Sequence, residues 1–250
     1  MLTGSGDPEA LAREAATLAD FATAPLTLRG VETLQVLGEI ERAGADALLP
    51  PGLHPTVPPA VTWLVQRVAE SPWGAFQMAQ CRIECRSGLR PRAFLRGGVA
   101  DHAEAAAELA ARWGYGLRPG EIRLERAYDR IRATVRAEGA SILDVTLCDP
   151  MPLRGVDVHY VANMNLARTP RGLRLVQVDP DYAIERAERG RPVIAHFEPP
   201  AWRVAGARPS HPVSASFTLG TLVLPALRYV CRPDALAFEA TERVGDALRP

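Results

Sequence analysis

"DHAEAAAELAARWGYGLRPGEIRLERAYDRIRATVRAE", residues 101–138, decides the fold class of this chain. Its first third reads as one short helix. Asp101 is the expected N-cap, Glu104 follows three residues later, alanine and leucine fill the body, and Gly114 stands past the end. After "GLRPG" the apolar period drops to two. Ile122 and Leu124 alternate with Arg123 and Glu125, and Ile131, Ala133 and Val135 with Arg130, Arg132 and Arg136. Successive side chains of a strand point to opposite faces, so this is the pattern of half-buried strands. The close turn "YDRI" makes them neighbours in an antiparallel meander.

Outward from this stretch, strand-like runs dominate. They cover 31–40, 60–70, 76–86, 91–99, 141–149, 157–168, 173–179, 193–198 and 213–225. "LLPPGLHPTVPP" (48–59) is too rich in proline for regular structure. "DPEALAREAATLAD" (7–20) reads as a helix capped by Asp7 with Pro8 in its first turn, part of a peripheral N-terminal arm within residues 1–25. "DYAIERAERG" (181–190) reads as a second short helix. The fold class is α+β, mostly β: a sheet or barrel with a helix packed on it.

With 250 residues, 47% of them hydrophobic, the chain can bury a sizeable core, and it is taken as a single domain over 1–250. The 29 basic and 29 acidic residues cancel, which favours neither nucleic acid nor an anionic membrane as partner. No window is long enough for a membrane span, and "MLTGSGDPEALARE" lacks the basic start and apolar run of a signal peptide, so a cytoplasmic protein is expected. Cys81, Cys85, Cys148 and Cys231 have no metal-ligand spacing; they are expected as reduced, mostly buried thiols, with no metal and no cofactor. No phosphate loop or serine-nucleophile motif is present. All the basic residues are arginine. Without lysine, no side-chain amine can form a Schiff base.

Several short motifs recur in a familiar order: "LPPGL" (49–53), "SPWGAF" (71–76), "AD" (100–101) opening an alanine-rich helix, "WGYG" (113–116), "NMNLA" (163–167) and "LVLP" (222–225). Together, over roughly residues 30–230, they resemble the acetoacetate decarboxylase family. The resemblance implies a closed, cone-like antiparallel β-barrel with a few short helices and an internal, largely apolar cavity, in a chain that assembles as a homo-oligomer. It also implies what is missing. The family's W-G-F/Y-P-K-K pattern supplies a nucleophilic lysine whose pKa is depressed by a neighbouring cation, an example also given in general accounts of nucleophilic catalysis. Here Leu117 and Arg118 stand at those two positions. Leu109, Ala110 and Ala111 stand where the family carries G-R-E, and Met78 where it carries a barrel glutamate. The resemblance therefore predicts that Schiff-base decarboxylation has been lost.

Candidate residues for the remaining chemistry are few. Arg118 is a fixed cation that could hold a carboxylate or enolate, and Tyr115 a donor to a developing oxyanion; their alternatives are solvent exposure and packing. Met78, Leu117 and Trp113 would line the cavity, with Gln80 inward and Gln77 on the opposite face. If 157–168 alternates regularly, His159, Val161, Asn163 and Asn165 share one face, inward or solvated. His102, at the helix start, is a weaker candidate base, and Trp73 a candidate for the cavity mouth or simply a turn residue. The reading is an enzyme of specialised metabolism that cyclises, dehydrates or isomerises a polyketide-like or other carbonyl-bearing molecule without a covalent intermediate. The alternatives are a small-molecule-binding protein and a decarboxylase that uses no imine.

Overall fold

The structure, a computed structural model, describes residues 2–245. Its strands are β1 (Ala16–Thr17), β2 (Leu26–Ile40), β3 (His54–Pro55), β4 (Ala60–Glu70), β5 (Phe76–Ser87), β6 (Arg90–Ala100), β7 (Leu117–Pro119) and β8 (Glu121–Arg126). They continue with β9 (Arg130–Ala137), β10 (Ala140–Leu153), β11 (Asn163–Thr169), β12 (Gly172–Val178), β13 (Asp181–Phe197), β14 (Pro209–Leu224), β15 (Tyr229–Cys231) and β16 (Thr241–Arg243). Three helices accompany them: α1 (Pro8–Leu11), α2 (Ala103–Trp113) and α3 (Ala237–Ala240). The chain is mostly β, as its sequence predicts.

One sheet runs in the order β16-β15-β12-β11-β6-β5-β4-β2-β14-β13-β10-β9-β8. Where the resemblance implies a closed barrel, the ladder is open, with β16 and β8 at its ends. β8 nevertheless folds back on the middle of the sheet. The Gly120 N–H donates to Ala100 O, and Gln77 Nε2 donates to Ile122 O at 2.8 Å. A side chain and a loop residue make this seam, so the backbone ladder does not continue across it.

Period-two alternation splits the core in two. On β4, Val61, Trp63 and Val65 face one apolar cluster, with Ala79, Cys81 and Ile83 of β5 beside them and the meander β8–β10 closing over them. Ile122, Leu124, Ile131, Ala133 and Val135 are all in this cluster, as their spacing predicts. The opposite face of β4 and β5 contributes Val68 and Met78 to a second cluster with Leu18, Leu109, Trp113 and Tyr115. Each fully buried aliphatic side chain in these clusters contributes roughly 1.5–3 kcal/mol.

Three local readings are corrected. Only Pro8–Leu11 of 7–20 is helical, with Asp7 accepting from the Glu9 and Ala10 N–H groups. The segment is not peripheral: Ala12 and Leu18 are buried, and β1 pairs with β11. Residues 181–190 are strand, because β13 is sandwiched between β10 and β14 and its backbone groups are used by both ladders. The α2 cap is His102, whose Nδ1 accepts from the Ala105 N–H at 3.3 Å; Asp101 instead accepts from the Gln77 backbone N–H. Gly114 ends that helix at φ 73°, as expected.

Gly98 marks the closest approach of β6 to β7. A Cβ there would lie 2.4 Å from Leu117 Cδ2 and 2.8 Å from Gly116 O. Gly98→Ala is expected to destabilise by about 1–3 kcal/mol through overpacking, read as a lower Tm in thermal unfolding.

Candidate active site

β5 carries Met78, Gln80, Arg82 and Glu84 on one face, at every second position. Arg82 is 1% exposed, an unusual place for a guanidinium. Its Nη1 donates to Asn163 Oδ1 at 2.7 Å and to Val161 O at 3.4 Å. Its Nε and Nη2 are buried and have no partner among the described residues. Asn163, on β11, completes a buried polar knot. Its Nδ2 donates to Gln80 Oε1 at 3.1 Å and to Tyr115 Oη at 3.0 Å. Burial pushes the Tyr115 phenol up, with the neighbouring Tyr182 adding to the shift and Arg82 opposing it. Tyr115 is therefore a neutral phenol whose oxygen already accepts a bond, leaving its proton to be donated elsewhere.

Further along the same face, Gln66 Nε2 donates to Thr33 Oγ1 at 3.1 Å, and the Tyr160 hydroxyl is 2.6 Å from Thr218 Oγ1. Tyr160 stacks on Tyr182 with ring centroids 4.2 Å apart. Burial pushes both phenols up, and the Arg82 guanidinium acts against that shift in each. The segment 154–162 crosses this face, and two clefts open beside it. One, of about 500 Å³, is lined by Tyr160, Tyr182 and Ile184; the other, of about 420 Å³, by Thr62, Glu84 and Val161. Both are within the size range of small-molecule sites.

The structure thus brings together Tyr115, Gln80, Met78 and Asn163 from the sequence-derived candidates. Met78 and Gln80 share the inward face, and Gln77 is on the other, bonded to Asp101 and Ile122 O. The interior beneath the clefts is more polar than the substitutions at 78 and 117 imply, because Arg82 and its amide and phenol partners are buried there. His159 does not share a strand face with Asn163. Strand pairing begins only at Asn163, after a 3-10 turn at Gly155–Asp157, and the His159 side chain is exposed beside both clefts. Asn165 is buried but turns away, donating to Trp113 O at 3.0 Å. Trp113 is a buried packing residue whose indole N–H donates to Pro225 O at 2.8 Å. Leu117 packs against the second apolar cluster, and half-buried Trp73 packs edge-on against Phe76. His102 is used as a helix cap.

Arg118 stands apart from the knot. Its Nη2 donates to Ala201 O at 2.6 Å, and its Nη1 pairs with the exposed Glu138 at 3.2 Å. Those contacts fasten β7 to a surface turn. Arg118→Ala is expected to lower Tm by a few degrees, since one carbonyl loses a charged donor worth about 1.5–3 kcal/mol, and to leave turnover unchanged. A loss of turnover at unchanged Tm would return Arg118 to the site.

Arg82, Glu84, Tyr160 and Tyr182 escape sequence reasoning. "QCRIECR" looks like a solvated strand face, and no local signal marks its arginine as buried. Among the described residues, no group of three or more His, Cys, Asp or Glu side chains is placed to hold a metal ion. No helix of the described residues is long and apolar enough to cross a membrane.

Comparison with known proteins agrees with this architecture. No curated protein matches the chain by sequence. Among solved structures, acetoacetate decarboxylase from Legionella pneumophila subsp. pneumophila str. Philadelphia 1 superimposes with a TM-score of 0.71 at 17% identity, over 82% of this chain and 86% of that one. The enduracididine biosynthesis enzyme MppR, complexed with pyruvate, gives 0.67 at 17% identity, over 82% and 89%. An acetoacetate decarboxylase-like enzyme from Sphingomonas wittichii RW1 gives 0.66 at 17% identity, over 82% and 92%. At these identities the likeness is one of fold. A family model described as acetoacetate decarboxylase (ADC) matches residues 14–163, more than half of the chain. With the fold consistent, this match leads to one conclusion: the chain belongs to the acetoacetate decarboxylase family.

Proposed function

We propose that this chain is a small-molecule enzyme that works without a covalent imine, cyclising, dehydrating or isomerising a carbonyl-bearing substrate. The observation that carries this reading is the Arg82 guanidinium, buried and with Nε and Nη2 unpartnered. Unpaired buried donors are costly, and a developing enolate or carboxylate oxygen would satisfy both at once in the fork geometry that arginine offers. Such charge stabilisation needs no lysine. Tyr115 supplies a neutral donor beside it, held by Asn163. The clefts would confine a flexible substrate near its reactive conformer, which lowers the barrier by restricting motion in advance. Relatives of this fold include a biosynthetic enzyme solved with pyruvate, a keto acid, which fits a carbonyl-bearing ligand by analogy. Cytoplasmic placement, assembly as a homo-oligomer, and action without metal, cofactor, nucleic acid or membrane belong to the same proposal.

The test is to incubate the purified protein with a panel of β-diketones, β-hydroxy ketones and β-keto acids, with and without borohydride, and to follow products and protein by mass spectrometry. The expected result is an isomer, or a product lighter by water, and no reduced adduct on any side chain. Loss of carbon dioxide without an adduct would instead indicate an imine-free decarboxylase, with Arg82 holding the carboxylate or its enolate product. A borohydride-trapped adduct would overturn the reading. Binding without conversion would make the protein a receptor.

A further inference from the structure

The cleft of about 420 Å³ beside the 154–162 segment has a chemistry of its own. Leu37, Pro58, Val161 and Val213 supply its apolar lining, and Thr62, the cross-strand neighbour of Leu37, and Glu84 supply polar groups beside them. The Thr62 hydroxyl donates to Glu84 Oε1. Glu84 Oε2 has no hydrogen-bond partner among the described residues, and it is not one of the buried unpaired atoms, so it is open to the cleft. Glu84 forms no ion pair among the described residues, although Arg82 follows the same face two residues back. Burial pushes its carboxyl above the usual range; Arg82 and the Thr62 bond pull the other way with less effect. The other charged or titratable groups facing it are Glu39 of β2, engaged by His211 at 3.5 Å, and His159 at the rim.

We infer that this cleft is a binding site for a neutral, largely apolar carbonyl compound, an alkyl or aryl ketone or ester, whose oxygen accepts a hydrogen bond from the Glu84 carboxylic acid. A cationic amine fits poorly, because the Arg82 guanidinium lies two residues back on the same strand face and repels it. An anionic ligand fits poorly as well, with Glu39 on the adjoining wall. The apolar side is wide enough for a ring or a short alkyl chain. The Arg82 chemistry proposed above is not required for this binding, although the cleft adjoins Arg82 through Val161, whose carbonyl accepts from Arg82, and shares His159 with the neighbouring cleft.

The probe is 6-propionyl-2-(dimethylamino)naphthalene, an aryl ketone whose emission responds to hydrogen bonding at its carbonyl. In wild-type protein it should bind saturably, with the emission of a hydrogen-bonded carbonyl. The sign of the pH dependence follows from the carboxyl. Below its raised pKa the acid donates; above it the carboxylate can only accept and repels the carbonyl oxygen. Affinity should therefore fall by about tenfold or more as pH rises through that value. Glu84→Gln, whose amide donates at any pH, should bind without this dependence. Leu37→Trp, which fills the cleft, should abolish binding in a protein whose circular dichroism is unchanged. Arg82→Met should keep binding, so a failure of the imine-free reading and a failure of this one are distinguishable. No saturable binding in wild type at acid pH, pH-independent binding in wild type, or full binding in Leu37→Trp would each overturn the inference. The last two need no folded Glu84 variant.

Discussion

Arg82→Met is expected to reduce turnover by roughly two to three orders of magnitude while the protein stays folded. Both halves follow from the geometry. A buried guanidinium with unused donors is complementary to charge that is absent from the resting site and develops in the transition state. Removing one such preorganised donor group typically costs about 3–4 kcal/mol of barrier. The fall in Tm should be limited to a few degrees, because methionine fills a similar volume and removes a buried charge that has no carboxylate partner, which offsets the loss of the donor to Asn163 Oδ1. The measurement is kcat against Tm for the two proteins. A structural arginine would give the opposite result, a large fall in Tm with turnover surviving in whatever remains folded. Arg82→Lys has a separate use. It places an amine at the polar knot, and borohydride trapping there would show that the carbonyl substrate reaches it.

Asn163→Leu should produce the largest loss of stability of any single change in the site. The shape is nearly conserved, but three groups lose a partner together: Gln80 Oε1, the Tyr115 hydroxyl, and Arg82 Nη1, which keeps only its long bond to Val161 O. Each buried polar group left unpaired costs about 1–3 kcal/mol, and a charged one more. A sum on the order of 4 kcal/mol would lower Tm by roughly 8–16 °C in a chain of this size. Thermal unfolding checks it. Asn163→Asp distinguishes hydrogen bonding from charge. It would keep the acceptor for Arg82 and add a negative partner, but lose the donors to Gln80 and Tyr115. Its Tm should fall between those of wild type and Asn163→Leu; a Tm as low as that of Asn163→Leu would mean that the amide donors, not the arginine contact, hold the knot together.

Local sequence logic works where each element's residues answer to their own backbone. The α2 helix is readable because Glu104, the alanine run and Gly114 satisfy or tolerate helix ends within a few residues of themselves. β8 and β9 are readable because their alternation is complete within each strand. The stretch 181–190 fails for a matching reason. Its charged residues at helical spacing could pair in an isolated helix, but backbone bonding to both β10 and β14 outweighs propensity. The 157–162 stretch fails because its pairing partner begins only at Asn163, and periodicity alone does not show where a ladder starts.

By itself, then, the sequence determined that the chain is β-rich with one capped helix, that its strands bury alternate residues, and that no lysine can make an imine. Those properties reside in single residues and short spacings. The tertiary structure alone decided that the sheet stays open, that Arg118 is a surface fastener, and that Arg82 is fully buried with two donor nitrogens left unpartnered among the described residues. Arg82 and Asn163 are 81 positions apart, and nothing near either one announces the other. A guanidinium becomes a site when surrounding strands strip away its water and leave some donors without partners. That condition is set by the whole packed sheet, and no run of neighbouring residues encodes it.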